Sequence, residues 1–304
     1  MVSLIEAKNI VKIFELPGKK GLVYAVDGVT LSINKASIVT LVGESGCGKS
    51  TLGRILTGIL KPSSGRVLYK GKDIWNLSKR EYKEFRRKVQ LIHQDPYSTF
   101  NPFKTLFDAL KAPLLHYHIA DRRNVWDKAC ELLEMVGLIP PEDFLNRYPH
   151  QLSGGQLQRA AIARSISLSP EFIVADEVTT MLDASLRVAI LDLLLNLKKK
   201  LDLSYLFITH DLAIAKYFAA KEKCIIMYLG EFVEVAPLEE LLKEPLHPYT
   251  KALIEAAPIL DPRIQRKRTP PKLKSWEPPN PTLRPIGCKF YPRCPMARDV
   301  CKHR

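Results

Sequence analysis

Polar residues suited to binding phosphate, metal or water follow four separate apolar runs of this chain. The runs cover 38–42, 89–92, 172–175 and 205–208. The residues after them include the segment 43–50, Gln94, Asp176 and His210. Parallel α/β sheets bind their ligands beyond the carboxyl ends of the strands, so we expect the four ends to converge on one crevice. The pattern predicts that this crevice binds a nucleotide.

The first of these strand ends carries the strongest motif. Residues 43–50 read Gly-Glu-Ser-Gly-Cys-Gly-Lys-Ser, and we predict a helix after them over 51–60. Glycines let the backbone curl so that N–H groups point at phosphate oxygens, and the helix start adds positive charge there. In such a loop Lys49 reaches the β- and γ-phosphates, and Ser50 ligates Mg²⁺. The predicted ATP-binding residues of this segment are Gly43, Glu44, Ser45, Gly46, Cys47, Gly48, Lys49, Ser50 and Thr51.

A second glycine-containing segment, 152–156, reads Leu-Ser-Gly-Gly-Gln and precedes another helical sequence. Ser153 is typical of an N-cap, whose side chain bonds a free N–H of the first turn. An ordinary capped helix has no need of two adjacent glycines, because they weaken that turn. Since N–H groups at a helix start attract anions, the segment predicts a second phosphate-binding surface.

These motifs, together with Gln94, the pair Asp176 and Glu177, and His210, resemble in order and spacing the ATP-binding cassette (ABC) ATPases. The resemblance covers about residues 4–258. It implies an α/β fold, namely a P-loop NTPase of ABC type with an antiparallel β-subdomain over about 1–40 and a helical subdomain over about 98–165. Within the helical subdomain, Trp126, Cys130, Leu133 and Val136 are spaced along one predicted helix face.

Two cassettes sandwich two ATP molecules in that family, so one chain alone lacks a complete site. The resemblance implies that a second ATPase subunit, identical or different, receives Ser153, Gly154, Gly155 and Gln156 of this chain at its own nucleotide. It also implies that Asp183 communicates across the dimer. Met181 departs from the usual family residue, which changes the detail of that contact.

The resemblance also assigns the reacting groups. Ser50, Gln94 and Asp176 hold Mg²⁺, the last through water. Glu177 is the general base for the attacking water, and His210 holds the γ-phosphate. These assignments predict an ATPase whose catalytic residues are Glu177, His210 and Gln94.

An aromatic residue is expected to stack on the adenine ring. Phe14 matches the family position, and Tyr24 is the alternative. A core role remains open for either residue. The aromatic segment 96–102, which contains two prolines, is open between contact with a partner helix and buried packing under Gln94.

The end of the chain resembles the C-terminal extension of oligopeptide and dipeptide importer ATPases. The resemblance rests on His-Pro-Tyr-Thr at 247–250 and Gly-Cys-Lys-Phe-Tyr-Pro-Arg-Cys-Pro at 287–295. We place a nucleotide-binding domain at 1–258 and the extension at 259–304, where nine of the 22 prolines predict an extended arm with turns rather than a packed domain. The resemblance implies import of peptides, or of oligosaccharides, with two transmembrane permease subunits and an external solute-binding protein.

Three cysteines lie in the extension at Cys288, Cys294 and Cys301. Several relatives hold a [4Fe–4S] cluster in such a region, although four ligands are normally required. His303 is a candidate fourth ligand, and a zinc site of Cys₃His type or a set of empty reduced thiols are the alternatives.

Positive charge is concentrated at the end of the chain. Residues 261–304 hold 12 Lys and Arg against 3 Asp and Glu, or +9 of the net +14, which leaves +5 for the first 260 residues. Because the charge is not spread evenly, we expect no nucleic-acid partner. A basic tail beside a membrane meets anionic lipid headgroups, and a solvated tail is the alternative.

No apolar stretch approaches the ~18 residues of a membrane-spanning helix. The longest, 186–197, is interrupted by Arg187, Asp192 and Asn196. The first residues do not predict a signal peptide, and the scattered cysteines do not predict a disulfide framework. We therefore expect a peripheral protein at the cytoplasmic face of the cell membrane.

Two other functions are compatible with parts of the sequence. A soluble ABC ATPase acting in DNA repair or on ribosomes would share the nucleotide site, but such relatives carry a coiled-coil insertion, zinc modules or a second cassette, and the importer-like tail argues against them. A P-loop kinase would share only the first motif, since it lacks the Leu-Ser-Gly-Gly-Gln segment.

Overall fold

The structure is a computed structural model of the chain. It describes residues 3–16, 18, 21–257, 263, 270–277, 279–280, 282 and 285–303. The chain divides into two compact units. The first unit comprises Met1–Leu4, Ile33–Ser37 and Tyr69–Phe207, and the second comprises Ile5–Ser32, Ile38–Leu68 and Ile208–Arg304.

The strands of the described residues are β1 (Ile5–Glu15), β2 (Leu22–Ile33), β3 (Ile38–Val42), β4 (Ser64–Tyr69), β5 (Lys72–Asp73), β6 (Val89–Ile92), β7 (Phe172–Asp176), β8 (Ser204–Thr209), β9 (Lys223–Tyr228) and β10 (Glu231–Pro237). The α-helices are α1 (Lys49–Leu56), α2 (Lys79–Lys88), α3 (Leu106–His116), α4 (Val125–Met135), α5 (Pro141–Leu145), α6 (Gly154–Ile166), α7 (Ala184–Leu201), α8 (Leu212–Ala219), α9 (Leu238–Lys243) and α10 (Pro248–Ala256). Short 3₁₀ helices lie at Ile74–Asn76, Tyr97–Thr99, Pro149–Gln151 and Asp299–Lys302.

The first unit is built around strands in the order β8, β7, β6. β6 and β7 are parallel and run in register up to Ile92 opposite Ala175, so the residues that follow the two strands emerge at the same edge. β7 and β8 are buried along their whole length, as expected for parallel strands covered on both faces. Helices α2 to α7 lie in this unit, and α3 to α6 follow one another between β6 and β7.

The predicted face of α4 is buried only in its second half. The fully buried residues of the helix are Val125, Ala129, Leu132 and Leu133, whereas Trp126 and Cys130 are only half-buried. Trp126 packs at the edge of this face with its ring 4.8 Å from that of Phe107. Of the predicted residues, Leu133 and Val136, which directly follows the helix, are fully buried.

The second unit contains two groups of strands. β2, β1 and β4 lie side by side. β1 and β2 form a hairpin in which Leu16 N–H donates to Gly21 O and Asn9 N–H donates to Thr30 Oγ1, so the two strands are antiparallel as predicted. They are long strands, of 11 and 12 residues. The other group has the order β10, β9, β3, with β9 parallel to β3 and antiparallel to β10.

The strands predicted from the four apolar runs are confirmed as β3, β6, β7 and β8. The helix predicted over 51–60 is shifted: α1 covers Lys49–Leu56. It begins earlier because Gly48, with φ +107°, takes the N-cap position directly before Lys49. It ends earlier because Gly58 adopts a left-handed conformation with φ +69°, which terminates helices.

The described part of the extension is packed, which corrects the prediction of an extended arm. Phe290 and Cys294 are buried in a cluster with Tyr228 of β9, Leu241 of α9 and Tyr249 of α10. Prolines at the flanks suggested an arm without a core, but the Phe290–Cys294 segment between them supplies enough apolar surface to bury. Two of the cations expected to face lipid or water, Lys289 and Arg293, are also buried.

Candidate functional site

Residues 43–50, called the phosphate loop from here on, connect β3 to the start of α1 in the second unit. Two of its glycines are required by close backbone neighbours. A Cβ at Gly43 would collide with the carbonyl oxygen of Met227, and a Cβ at Gly48 would collide with that of Ala25. The loop is further held by Gly230, whose N–H donates to Cys47 O at 2.8 Å. The loop therefore has the curled backbone that the sequence predicts.

Lys49 lies buried beneath the loop. Its ammonium group donates to the carbonyl oxygens of Gly43 and Glu44, both at 2.8 Å. The thiol of Cys47 is buried next to it, and burial raises the pKa of that thiol although the charge of Lys49 opposes the effect. Lys49 thus bridges the two ends of the loop and places a positive charge where a phosphate would be attracted.

Glu44 is held by two residues that the sequence analysis did not assign to the site. Its carboxylate accepts two hydrogen bonds from the Arg293 guanidinium, at 2.8 and 3.0 Å, and its backbone N–H donates to Tyr249 Oη at 2.9 Å. Arg293 belongs to the extension, and Tyr249 belongs to α10. Glu44 remains a predicted ATP-binding residue, but its side chain here bonds the protein.

Residues 152–156, called the signature segment from here on, lead into α6 of the first unit. Ser153 is the N-cap: its Oγ accepts from Gln156 N–H at 3.3 Å, and Gln156 Oε1 accepts from Ser153 N–H at 3.0 Å. Ser153 is exposed, while Gly155 is buried against Leu186. The predicted capped helix start is therefore present, with its polar end at the surface of the unit.

The edge where β6 and β7 end brings two predicted catalytic residues together. Gln94 Nε2 donates to Glu177 Oε2 at 3.0 Å, and Thr180 Oγ1 donates to the same oxygen at 3.3 Å. Glu177 has φ +48°, a conformation that is strained for a residue with a side chain and that concentrates at functional sites. These two donors fix the orientation of the Glu177 carboxylate beside the end of β7.

Three further predicted site residues, Asp176, Asp183 and His210, lie at or next to the ends of strands and helices. Asp176 is the buried last residue of β7, and exposed Asp183 is the N-cap of α7. Hydrogen bonds from Leu186 N–H and Ser185 Oγ to the Asp183 carboxylate lower its pKa. His210 is exposed after β8.

The two candidates for adenine stacking both lie in the second unit. Phe14 is 40% exposed near the end of β1, with the Lys12 ammonium 5.2 Å from its ring centre. Tyr24 is half-buried on β2. The exposure of Phe14 is compatible with stacking on a ligand, and the choice between the two stays a prediction.

The aromatic segment before α3 is partly buried and partly exposed, and the choice between its two possible roles stays a prediction. Pro96 and Phe100 are buried, whereas Tyr97 is 51% exposed. Phe103, just beyond the segment, is 87% exposed. The segment is therefore anchored by Phe100 and presents Tyr97 at the surface.

The predicted iron–sulfur cluster is not supported. In the part of the chain that the structure describes, no group of three or more His, Cys, Asp or Glu side chains is arranged to hold a metal. Cys294 is buried, and burial raises the pKa of its thiol. A cluster held by Cys288, Cys294 and Cys301 is therefore not supported within the described residues.

Sequence reasoning missed three residues that shape the site: Thr180, Tyr249 and Arg293. Tyr249 lies within the His-Pro-Tyr-Thr motif, which was used only to identify the tail. Arg293 lies between aromatic residues and Cys294 in an otherwise apolar run, and such a cation usually needs a buried partner. This apolar surrounding could have indicated that Arg293 pairs with a buried carboxylate.

A cavity of 840 Å³ in the first unit contains none of the predicted site residues. Its apolar floor includes Leu114, Leu132 and Ile166. The lysines at its rim are engaged, for example Lys70 with Glu171 at 2.7 Å. We assign no nucleotide function to it.

Comparison with known proteins identifies the family. The family described as ABC transporter matches residues 26–180, and the family described as Oligopeptide/dipeptide transporter, C-terminal region matches residues 233–301. The chain is 41% identical over 308 residues to the oligopeptide transport ATP-binding protein AppF of Bacillus subtilis (strain 168), covering 99% of this chain and 92% of AppF. It is 42% identical over 278 residues to the oligopeptide transport ATP-binding protein OppF of Salmonella typhimurium, covering 91% of this chain and 82% of OppF.

A solved structure supports the same assignment. The dimeric post-hydrolysis structure of the ATP-binding cassette MJ0796 bound to ADP and Pi matches with a TM-score of 0.68 and 30% identity, over 77% of this chain and 98% of that one. These matches confirm the predicted fold class and ATPase activity, and they do not favour a role in DNA repair or on ribosomes. Within the described residues, no helix combines the length and apolarity needed to cross a bilayer. The chain belongs to the ABC transporter family and is an ATP-binding cassette ATPase that carries the C-terminal region of the oligopeptide/dipeptide transporters.

Proposed function

We propose that this chain powers the import of peptides through a membrane ABC transporter, with oligosaccharides as the alternative cargo. The phosphate loop, with buried Lys49 at the start of α1, carries the ATPase part of this proposal. The cargo rests on the match of residues 233–301 to the C-terminal region of oligopeptide/dipeptide transporters and on relatives named for oligopeptide transport.

The proposed machine contains more than this chain. A second ATPase subunit, identical or different, would complete each nucleotide site with its signature segment, and two permease subunits and an external solute-binding protein would handle the cargo. The chain would work at the cytoplasmic face of the membrane. The proposed nucleotide-binding domain is 1–258, with its helical subdomain at about 98–165, and the extension is 259–304.

The nucleotide would be held by the phosphate loop of this chain. Phe14 would stack on adenine, and the backbone N–H groups and Lys49 would bind the β- and γ-phosphates. His210 would contact the γ-phosphate. Ser153, Gly154, Gly155, Gln156 and Asp183 would serve the site of the neighbouring subunit.

Mg²⁺ fits the proposed ligands by their chemistry. Ser50, Gln94 and Asp176 offer hydroxyl, amide and carboxylate oxygens, the donors that this ion prefers. The hydrogen bond to Glu177 uses the Gln94 nitrogen, so the amide oxygen of Gln94 remains for a metal. When bound, Mg²⁺ offsets negative charge on the phosphate oxygens.

The chemical step would depend on Glu177. Gln94 and Thr180 fix one oxygen of its carboxylate, which orients the group. The carboxylate takes a proton from the attacking water as the water oxygen bonds to the γ-phosphorus and the bond from that phosphorus to the bridging oxygen of ADP breaks.

Replacement of Glu177 by Gln tests the catalytic assignment. Glu177→Gln keeps the shape of the side chain but removes its basicity, so ATP hydrolysis in the purified transporter should fall by about 10² or more while ATP binding persists. Glu240→Gln, a change of the same kind at an exposed position of α9, should leave turnover unchanged. Wild-type turnover by Glu177→Gln would refute the assignment.

The cargo is tested by uptake. Cells that depend on this transporter should take up labelled peptides, and the Glu177→Gln variant should abolish that uptake. Uptake of labelled oligosaccharides instead, equally sensitive to the variant, would favour the alternative cargo. Co-purification with nucleic acid rather than with membrane proteins would contradict both.

A further inference from the structure

We propose that the extension supports the phosphate loop and that Arg293 is the positioning residue through which it acts. The proposal rests on the proposed role of the phosphate loop in binding ATP. It goes beyond that role by giving the extension a specific task at the nucleotide site.

Contacts outside the phosphate loop hold the Arg293 side chain in one orientation. Its side chain is 5% exposed, and its guanidinium lies 5.7 Å from the ring centre of Phe290 and 5.8 Å from that of Tyr228. Its Nε donates to Ser275 O at 3.3 Å. Stacking against two rings and hydrogen bonding to the backbone restrict the guanidinium to one orientation, in which it can position the Glu44 carboxylate.

The fixed guanidinium then grips Glu44 at two points. The paired contacts to both carboxylate oxygens, 2.8 and 3.0 Å, have the fork geometry that makes such pairs strong and directional. The Glu44 side chain is 35% exposed, so water competes only from one side. The carboxylate cannot rotate without breaking both bonds.

Glu44 is held through its backbone as well. Its N–H donates to Tyr249 Oη, and its carbonyl oxygen accepts from Lys49 Nζ. Side chain, N–H and carbonyl are thus all engaged at one residue. Ser45 and Gly46, which follow Glu44 in the loop, are exposed. The loop is therefore anchored directly before the amides that would meet a phosphate, which reduces the ordering cost of binding.

A second buried cation keeps the extension in place. Lys289 Nζ donates to Asp27 Oδ2 at 2.6 Å and to Leu229 O at 2.8 Å, and both charged side chains are buried. Buried charges are retained only when they are paired, so displacement of the extension would expose or strand both Lys289 and Arg293. These buried ion pairs therefore hold the extension in one position beside the phosphate loop.

ATP binding to the purified full chain with Mg²⁺ tests the proposal. Arg293→Met keeps an unbranched side chain between the rings but releases Glu44, and we expect the dissociation constant for ATP to rise about tenfold. The turnover number at saturating ATP should change far less than the Michaelis constant, because the bound nucleotide reorders the loop. Arg298→Met, which removes an exposed cation of the same extension, should bind ATP like the wild type.

Two further variants separate positioning from a general loss of stability. Arg293→Lys keeps the charge but loses the fork, so its ATP affinity should lie between those of the wild type and Arg293→Met. Glu44→Gln combined with Arg293→Met should weaken binding no more than the stronger single change, since both act through one contact. Additive losses, or wild-type affinity in folded Arg293→Met or Arg293→Lys, would overturn the proposal.

Lys49→Ala distinguishes failure of this inference from failure of the proposed function. Loss of ATP binding in Lys49→Ala together with normal binding in Arg293→Met would refute the positioning role and leave the phosphate loop assignment intact. Normal ATP binding in Lys49→Ala would refute the assignment on which both proposals stand.

Discussion

The phosphate loop and the signature segment both place glycines at the start of a helix, but the two are held very differently. The phosphate loop is braced by groups distant in sequence: Arg293 and Tyr249 hold Glu44, and Gly230 holds Cys47. The signature segment is shaped by its own residues, with Ser153 and Gln156 bonded to each other.

The difference bears on how each helix start is used. A loop braced from several sides is preorganised, so it can bind phosphate with little rearrangement. A helix start that is shaped by local capping and ends in exposed Ser153 is ready to meet a surface supplied from outside. This contrast supports the proposal that each chain binds ATP at its phosphate loop and contributes its signature segment to the nucleotide site of the neighbouring subunit.

Alanine in place of one glycine in each region should give the largest difference between the two regions. Gly48→Ala forces a side chain onto a residue with φ +107° and against Ala25 O, so we expect unfolding to become easier by about 3 kcal/mol and ATP binding to be lost. At Gly154 the nearest atom to a new Cβ is 3.9 Å away, on Leu182. Gly154→Ala should therefore change stability by less than about 0.5 kcal/mol and leave ATP binding to the isolated chain intact.

Thermal unfolding and ATP titration of the two alanine variants, measured side by side, check this contrast. In the assembled transporter, Gly154→Ala should still reduce hydrolysis, because its added methyl group would lie at the subunit contact. Equal stability of the two variants would mean that the bracing of the phosphate loop is not what distinguishes it.

Acidification should give a smaller effect through His247, which caps the helix that carries Tyr249. Burial lowers the pKa of His247 below its ordinary value of 6.5, although Glu234 opposes the shift. Neutral His247 Nδ1 accepts from Tyr249 N–H and caps α10, and the ring of Phe290 packs against it. Because the folded pKa is lowered, this contribution to stability is complete above pH 6.5 and is lost as the pH falls towards the folded pKa.

We expect a loss below about 1 kcal/mol between pH 7 and pH 5, measured by denaturant unfolding. His247→Asn keeps a capping side chain without a titrating ring, so its stability should fall less over the same interval. A variant and wild type with the same pH dependence would exclude His247 as the cause.

Much of the fold was predictable because its strands are short apolar runs that end in polar motifs, as β3 and β7 do. The cap of α6 was predictable for the same local reason, since Ser153 and Gln156 are three residues apart. The bounds of α1 were missed because Gly48 and Gly58 act through backbone conformations that composition does not reveal.

The bracing of the phosphate loop was not predictable from sequence pattern. Glu44 and Arg293 are 249 positions apart, and no local periodicity connects them. The prolines around Arg293 suggested an arm without contacts, whereas the aromatic residues beside it form a core with Tyr228 and Tyr249. Long-range pairing of a buried cation needs the fold before its partner can be named.

The most direct test is the structure of the transporter complex that carries Glu177→Gln, determined by electron cryomicroscopy with ATP and Mg²⁺. We predict that the γ-phosphate held by Lys49 of one ATPase subunit lies within hydrogen-bonding distance of the signature segment of the other. Signature segments that remain remote from any nucleotide in that ATP-loaded, hydrolysis-deficient complex would contradict the account.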